Sequence, residues 1–215
     1  MPMRTSEREY RDFHLAPIET RAEEEEKKMI VRGYASTFDD PYVLYEDDEF
    51  VLSERIDPKA FDEADMSDVI LQYDHEGRVF ARISNGTLKL STDDKGLAVE
   101  ADLGGTDIGR SLYQEIEGGY TSKMSFGFTV AEEAWEETRD NETGKTQEMR
   151  TIVRVKKVYD VSAVSLPAND GTSISVRNLS EGVIDKVKAE RLEALELERK
   201  KTLARMRAHK LNGGR

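Results

Sequence analysis

The sequence predicts a mainly β fold with helices (α+β): an antiparallel, partly open β-barrel surrounded by a few helices, plus a charged C-terminal helix. Three observations lead there. Short apolar/polar alternations recur along most of the chain. Helical periodicity is confined to one inserted segment and the C-terminal tail. The regular strand–helix alternation of a doubly wound sheet is missing.

Residues 1–9 carry no packing pattern. Phe13, Leu15 and Ile18 make residues 10–20 a weak strand, and residues 29–38 a stronger one. The charged stretch 23–28 would be the tip of a hairpin joining them. Asp39-Asp40-Pro41 is a turn, and the acidic run 46–49 a solvated loop. Asp57 as N-cap and Pro58 at the first helical position predict a short helix over 58–64. Residues 69–73 form a compact strand ending at Asp74-His75-Glu76-Gly77, and 79–83 another. Residues 87–91 and 97–103 alternate around Asp93-Asp94-Lys95-Gly96, a hairpin signal.

In 106–117, Ile108, Leu112 and Ile116 recur at helical spacing, and Gly118-Gly119 ends the helix. Residues 122–135 and 151–166 are long strands joined by a polar tip at 139–145. The tail from 180 to 209 is helical, with Val183, Val187, Leu192, Leu195, Leu203 and Met206 in a broken heptad-like stripe.

The 215 residues allow one domain with extensions. We divide them into 1–28 (N-terminal extension and first strand), 29–179 (core) and 180–215 (charged helical tail). The net charge of −12 argues against non-specific nucleic-acid binding, which needs clustered Lys and Arg. The charge is uneven. The tail holds ten Lys/Arg against six Asp/Glu, so it carries +4 and the body −16. With no cysteine there is no disulfide, thiolate metal site or cysteine nucleophile. No apolar signal segment and no run of roughly 20 apolar residues is present, so a soluble intracellular protein with no membrane association is expected.

Three residues carry possible chemistry. In Lys123-Met124-Ser125-Phe126-Gly127-Phe128, alternation puts Met124, Phe126 and Phe128 on one face and Ser125 and Gly127 on the other. Ser125 fits an exposed nucleophile, with Gly127 admitting a substrate backbone. Taken alone, it fits better a solvated face that carries Ser and Thr by default. His75 ends a strand and has the side chain usually used as general base for a serine, or it is a surface histidine between two acids. Asp160 interrupts an apolar run, where a charge needs a partner. An imidazole would supply one; so would water at a sheet edge. Hydroxyl, imidazole and carboxylate are the parts of a Ser-His-acid site.

The order His, Ser, acid resembles that of the tailed-bacteriophage prohead protease family, the serine proteases of procapsid maturation. The resemblance runs over about 29–177. It rests on Gly33-Tyr34-Ala35, Tyr73-Asp74-His75, Met124-Ser125-Phe126-Gly127-Phe128 and, most specifically, Asp160-Val161-Ser162-Ala163-Val164-Ser165-Leu166-Pro167-Ala168-Asn169. It implies that Ser125 attacks, His75 takes the proton and Asp160 orients the imidazole. The family commonly has Glu at this third position.

The resemblance also implies a fold like that of herpesvirus capsid-maturation proteases and a location inside the procapsid in the bacterial cytoplasm. The partners it implies are the major capsid protein or its scaffold segment, with a portal protein and a second copy of the chain as further candidates. Self-cleavage is expected, and no cofactor is required. Oxyanion donors could come from Gly118-Gly119 or from the loop after Pro167. The rival readings are a non-catalytic procapsid scaffold protein with a protease-like body and a β-rich binding module.

Other features are weaker. Gly104-Gly105-Thr106-Asp107-Ile108-Gly109-Arg110-Ser111 nearly matches a phosphate loop, but Arg110 stands where lysine is required. The acids at 39–40 and 46–49 lack calcium-loop spacing.

Overall fold

A single hairpin organises the body. Its strands are β10 (Lys123–Arg139) and β11 (Thr146–Val164), antiparallel along their whole length. The computed structural model describes residues 8–13, 19–23, 28–165 and 181–212. The remaining strands are β1 (Glu9–Phe13), β2 (Glu19–Glu23), β3 (Lys28–Thr37), β4 (Tyr42–Glu46), β5 (Phe50–Ile56), β6 (Ile70–Tyr73), β7 (Glu76–Arg82), β8 (Leu88–Thr92) and β9 (Gly96–Asp102). The helices are α1 (Asp107–Glu117) and α2 (Glu181–Asn212). The chain divides into two compact units, residues 1–179 and 180–215, and α2 is the described part of the second.

The strands form two sheets. One is seven-stranded, in the order β1-β10-β11-β5-β4, with β6 also on β11 and β7 on β6. The other is four-stranded, β2-β3-β9-β8. The mainly β class with helices therefore holds, but no ring of strands closes among the described residues. Nor is the pairing all antiparallel. The free edge of β11 is shared by β5 along its first half and β6 along its second, both parallel. Register shifts in β10 between Gly127 and Glu133 bend the hairpin between these two stretches, as bulges do.

The core lies between the sheets. Phe126, Phe128, Val155, Val158 and Val161 of the long hairpin meet Val31, Ala35, Leu97, Val99 and Ala101 of the smaller sheet. Phe126 and Phe128 stack with centroids 4.4 Å apart, and Phe61 packs against Phe126. Helix α1 adds Leu112, Tyr113 and Ile116. Its N-cap is Thr106, whose hydroxyl accepts the Gly109 N–H at 3.0 Å. Such a cap stabilises a helix by about 1 kcal/mol. Arg110 donates to the Gly104 carbonyl at 2.6 Å, so the glycine-rich stretch is closed on itself as the start of α1.

Several expectations change. Residues 58–64 are successive turns, not a helix: the amides of Ala60, Asp62 and Ala64 bond carbonyls three residues back. β1 does not form a hairpin with β3. It pairs with β10, and of the two N-terminal strands it is β2 that pairs with β3. Strands β4 and β5 fill stretches to which the sequence assigns no element, on either side of the acidic loop, because Leu44, Phe50, Leu52 and Ile56 are buried. His14 and residues 24–27 lie outside the described residues.

Candidate active site

Ser125 lies on β10 opposite Ser162 of β11, and Gly127 lies opposite Asp160. Side chains two residues apart share a face, so Ser125, Gly127, Asp160 and Ser162 cluster on the side of the sheet away from Phe126 and Val161. His75 reaches this face from the turn between β6 and β7. That turn has two central residues, Asp74 and His75, with φ of 48° and 59°. Paired positive φ values make the tight hairpin turn whose twist suits adjacent strands, normally built with Asn or Gly. A histidine held there costs local conformational energy, and specific bonds hold it.

Those bonds come from β11. The Asp74 N–H donates to the Ala163 carbonyl at 3.0 Å, extending the β6–β11 ladder by one residue. The Ser165 N–H and hydroxyl both donate to the Asp74 carboxylate at 2.9 Å. The His75 N–H donates to Ser162 Oγ at 3.2 Å. The imidazole is thereby aimed at two partners. Nδ1 contacts Asp160 Oδ2, and Nε2 stands 2.5 Å from Ser125 Oγ. Ser162 Oγ also donates to Asp160 Oδ2 at 3.1 Å. With the Nδ1–H donated to the carboxylate, the Nε2 lone pair faces the serine hydroxyl, the arrangement that proton abstraction requires.

The setting is more enclosed than alternation suggests. Residues 124–130 of β10 are buried on both faces, and Ser125 and Asp160 have 0% exposure. The half-solvated face expected of Ser125, Gly127 and Thr129 is absent because β1 pairs alongside and the His75 turn folds across. Ser125 Oγ also contacts the Arg11 carbonyl at 2.9 Å, a second acceptor for its single proton. Tyr10 packs edge-on against the His75 ring with centroids 4.4 Å apart.

Gly127 has another use than the one expected. A Cβ there would stand 2.5 Å from Asp160 Oδ1, 2.7 Å from Tyr10 Cε1 and 2.9 Å from Arg8 Nε. The space is taken by side chains of the site and not by a substrate backbone.

On the opposite face of β1 lies a buried charge cluster. Arg11 meets Glu54 at 2.5 Å and Glu9 at 2.6 Å. Arg150 meets Glu9 at 2.6 Å, Glu54 at 2.7 Å and Glu133 at 2.5 Å. The Tyr42 hydroxyl donates to Glu54. Burial opposes the Glu9 charge, but Arg11 and Arg150 outweigh it and hold its carboxyl at about 2. Burial likewise opposes the Arg150 charge, and Glu54, Glu9 and Glu133 raise its pKa well above the ordinary value.

Some expected donors are excluded. The Gly118 and Gly119 amides bond the Gln114 and Ile116 carbonyls at the end of α1, so this pair is not free to hold an oxyanion. The loop after Pro167 lies outside the described residues. In the acidic loop, Asp47 accepts the Glu49 N–H and Lys145 pairs with Glu46.

All three sequence-derived site residues, His75, Ser125 and Asp160, come together. Arg8, Tyr10 and Ser162 were missed. Ser162 had a usable signal, because it sits two residues from Asp160 on the same strand face. Arg8 and Tyr10 had none: their place depends on β1 pairing with a strand more than a hundred residues away.

A comparison with curated proteins gives no match, and neither does one with solved structures. Comparison with protein families does: residues 16–188 match the family described as caudovirus prohead serine protease. The match covers most of the chain and contains His75, Ser125, Ser162 and Asp160. The chain belongs to the caudovirus prohead serine protease family.

Proposed function

We propose that this chain is the endopeptidase of phage procapsid maturation, cutting scaffold segments or the N-terminal extension of the major capsid protein, and itself, with Ser125, His75 and Asp160 as its catalytic triad. The observation that carries this is one connected line: Ser125 Oγ at 2.5 Å from His75 Nε2, and His75 Nδ1 on the carboxylate of Asp160. Family membership supplies the reaction class.

In this reading His75 Nε2 removes the Ser125 proton as Oγ attacks the scissile carbonyl carbon. The imidazolium, steadied by Asp160, then protonates the leaving amine, and water completes hydrolysis of the acyl-enzyme by the same route. Ser162 fixes the Asp160 oxygen that His75 uses. Because Ser125 is fully buried, its cover has to open before a substrate is cut. The work is done inside the procapsid in the host cytoplasm. Among the described residues, no helix is long and apolar enough to cross a membrane.

The test is co-expression of the wild type and Ser125→Ala with the capsid protein of the same virus, read by intact mass. Trimming by the wild type and none by the variant is the expected result. Equal trimming in both would remove Ser125 as nucleophile. No trimming by either, with both proteins folded, would favour the scaffold role.

A further inference from the structure

We propose that Arg8 is a positioning residue for the reaction, holding Asp160 through the carboxylate oxygen that His75 does not use, so that strand β1 is a working part of the active site. This rests on the triad reading above. Asp160 is fully buried, and a buried carboxylate needs partners on both oxygens. Oδ2 has two, His75 Nδ1 and Ser162 Oγ. Oδ1 is ion-paired with the Arg8 guanidinium and, among the described residues, has no hydrogen-bond partner.

The guanidinium is itself held in place. It lies 4.9 Å from the Tyr10 ring centroid and 4.6 Å from that of Tyr159, a cation between two aromatic faces. Gly127 leaves the room: a Cβ there would stand 2.9 Å from Arg8 Nε. The backbone that carries Arg8 is anchored from the other face, where Glu9 and Arg11 enter the buried cluster with Glu54 and Arg150. Successive residues of β1 point to opposite faces. One short strand thus ties the buried cluster to the site, with Tyr10 against the His75 ring.

The consequence is electrostatic as well as geometric. An uncompensated buried carboxylate would draw a proton onto the imidazole beside it and deprive Nε2 of its lone pair. Arg8 balances that charge. Among the described residues, those that meet His75 or its partner Asp160 include Arg8 just before β1, Tyr10 of β1, Ser125 of β10, Ser162 of β11 and the chain neighbours Asp74 and Glu76. Arg8 alone among them is a cation. Its side chain is 35% exposed, so replacing it leaves the core intact.

The experiment compares full-length wild type, Arg8→Met, Arg8→Lys, Asp160→Asn and Ser125→Ala. It reads cleavage of the capsid protein of the same virus from mildly acid to alkaline pH, with melting temperatures recorded alongside. Arg8→Met is expected to lower kcat by about tenfold or more, since small misplacements at a reacting centre are costly. KM should change little, and the acid limb of the profile should move to higher pH. Arg8→Lys should recover part of both.

Wild-type kcat and pH profile in Arg8→Met, with Ser125→Ala and Asp160→Asn inactive, would overturn the role of Arg8 and leave the triad standing. Activity losses in Arg8→Met and Arg8→Lys that merely follow lower melting temperatures would also overturn it. Full activity in Asp160→Asn would instead remove the triad reading, and this inference with it.

Discussion

Gly127→Ala separates the shape of the site from the stability of the fold. The three atoms nearest the added Cβ would all belong to side chains: Asp160 Oδ1 at 2.5 Å, Tyr10 Cε1 at 2.7 Å and Arg8 Nε at 2.9 Å. Ordinary contact to a Cβ begins near 3.4 Å, so the carboxylate has to retreat by about 0.9 Å. The same carboxylate holds His75 Nδ1, and the imidazole moves with it.

Overpacking of this kind costs roughly 1–3 kcal/mol. Replacing Gly by Ala within a strand returns about 0.5–1 kcal/mol. The net loss is therefore about 2.5 kcal/mol at most, a drop of roughly 5–10 °C in melting temperature for a body of this size. A displacement near 1 Å at a reacting centre costs about 100-fold in rate.

The assay measures kcat/KM on the proposed capsid substrate and the rate at which a fluorophosphonate modifies Ser125, beside melting followed by circular dichroism. The expected result is a loss of about two orders of magnitude in both rates with a modest loss of stability. Wild-type rates and melting would show that Asp160, Tyr10 and Arg8 do not converge over Gly127. A collapse in melting temperature that accounts for the lost rate would make the glycine structural.

Removing the Asp160 charge should be more severe than altering its reach: Asp160→Asn is expected to lower kcat by up to about 10⁴-fold, the scale seen for this change in a serine protease. Asp160→Glu should fall between it and the wild type, because the extra methylene enters the space beside Gly127 and Ser162; equal kcat for Asn and Asp would refute the orienting role. Arg150→Met breaks the cluster with Glu9, Glu54 and Glu133, and should destabilise by about 3–5 kcal/mol, with calorimetry as the check.

Glu9 makes stability depend on acid. Its carboxyl titrates near 2 in the folded chain against 4.5 ordinarily, so its contribution of about 3 kcal/mol is complete above pH 4.5 and lost as pH falls towards 2. Glu9→Gln should flatten the acid side of melting temperature against pH, and an unchanged slope would count against the cluster. Thr106→Ala should cost about 1 kcal/mol at the start of α1 and leave cleavage rates alone, measured by melting and by the capsid assay.

Most strands and helix α1 were legible because their signals are local. Alternation around Asp93-Asp94-Lys95-Gly96 marks β8 and β9, and a cap with a four-residue repeat marks α1. The turns at 58–64 misled because Asp57-Pro58 starts a turn as readily as a helix. β4 and β5 escaped because acidic residues surround their few buried apolar positions.

By itself, the sequence determined the mainly β class, the family, and the three side chains, His75, Ser125 and Asp160, that the fold brings together. Each depends on residue identity and order, which are written along the chain. Only the tertiary structure decided the two parallel pairings on β11, the burial of Ser125 and the place of Arg8 and Tyr10 around Asp160 and His75. Those depend on which strand edges find each other across long stretches of chain. β1 carries little in its own five residues to say that its partner is β10. That pairing is set by Glu9 and Arg11 finding Glu54 and Arg150 on one face, while Arg8 and Tyr10 meet the site on the other.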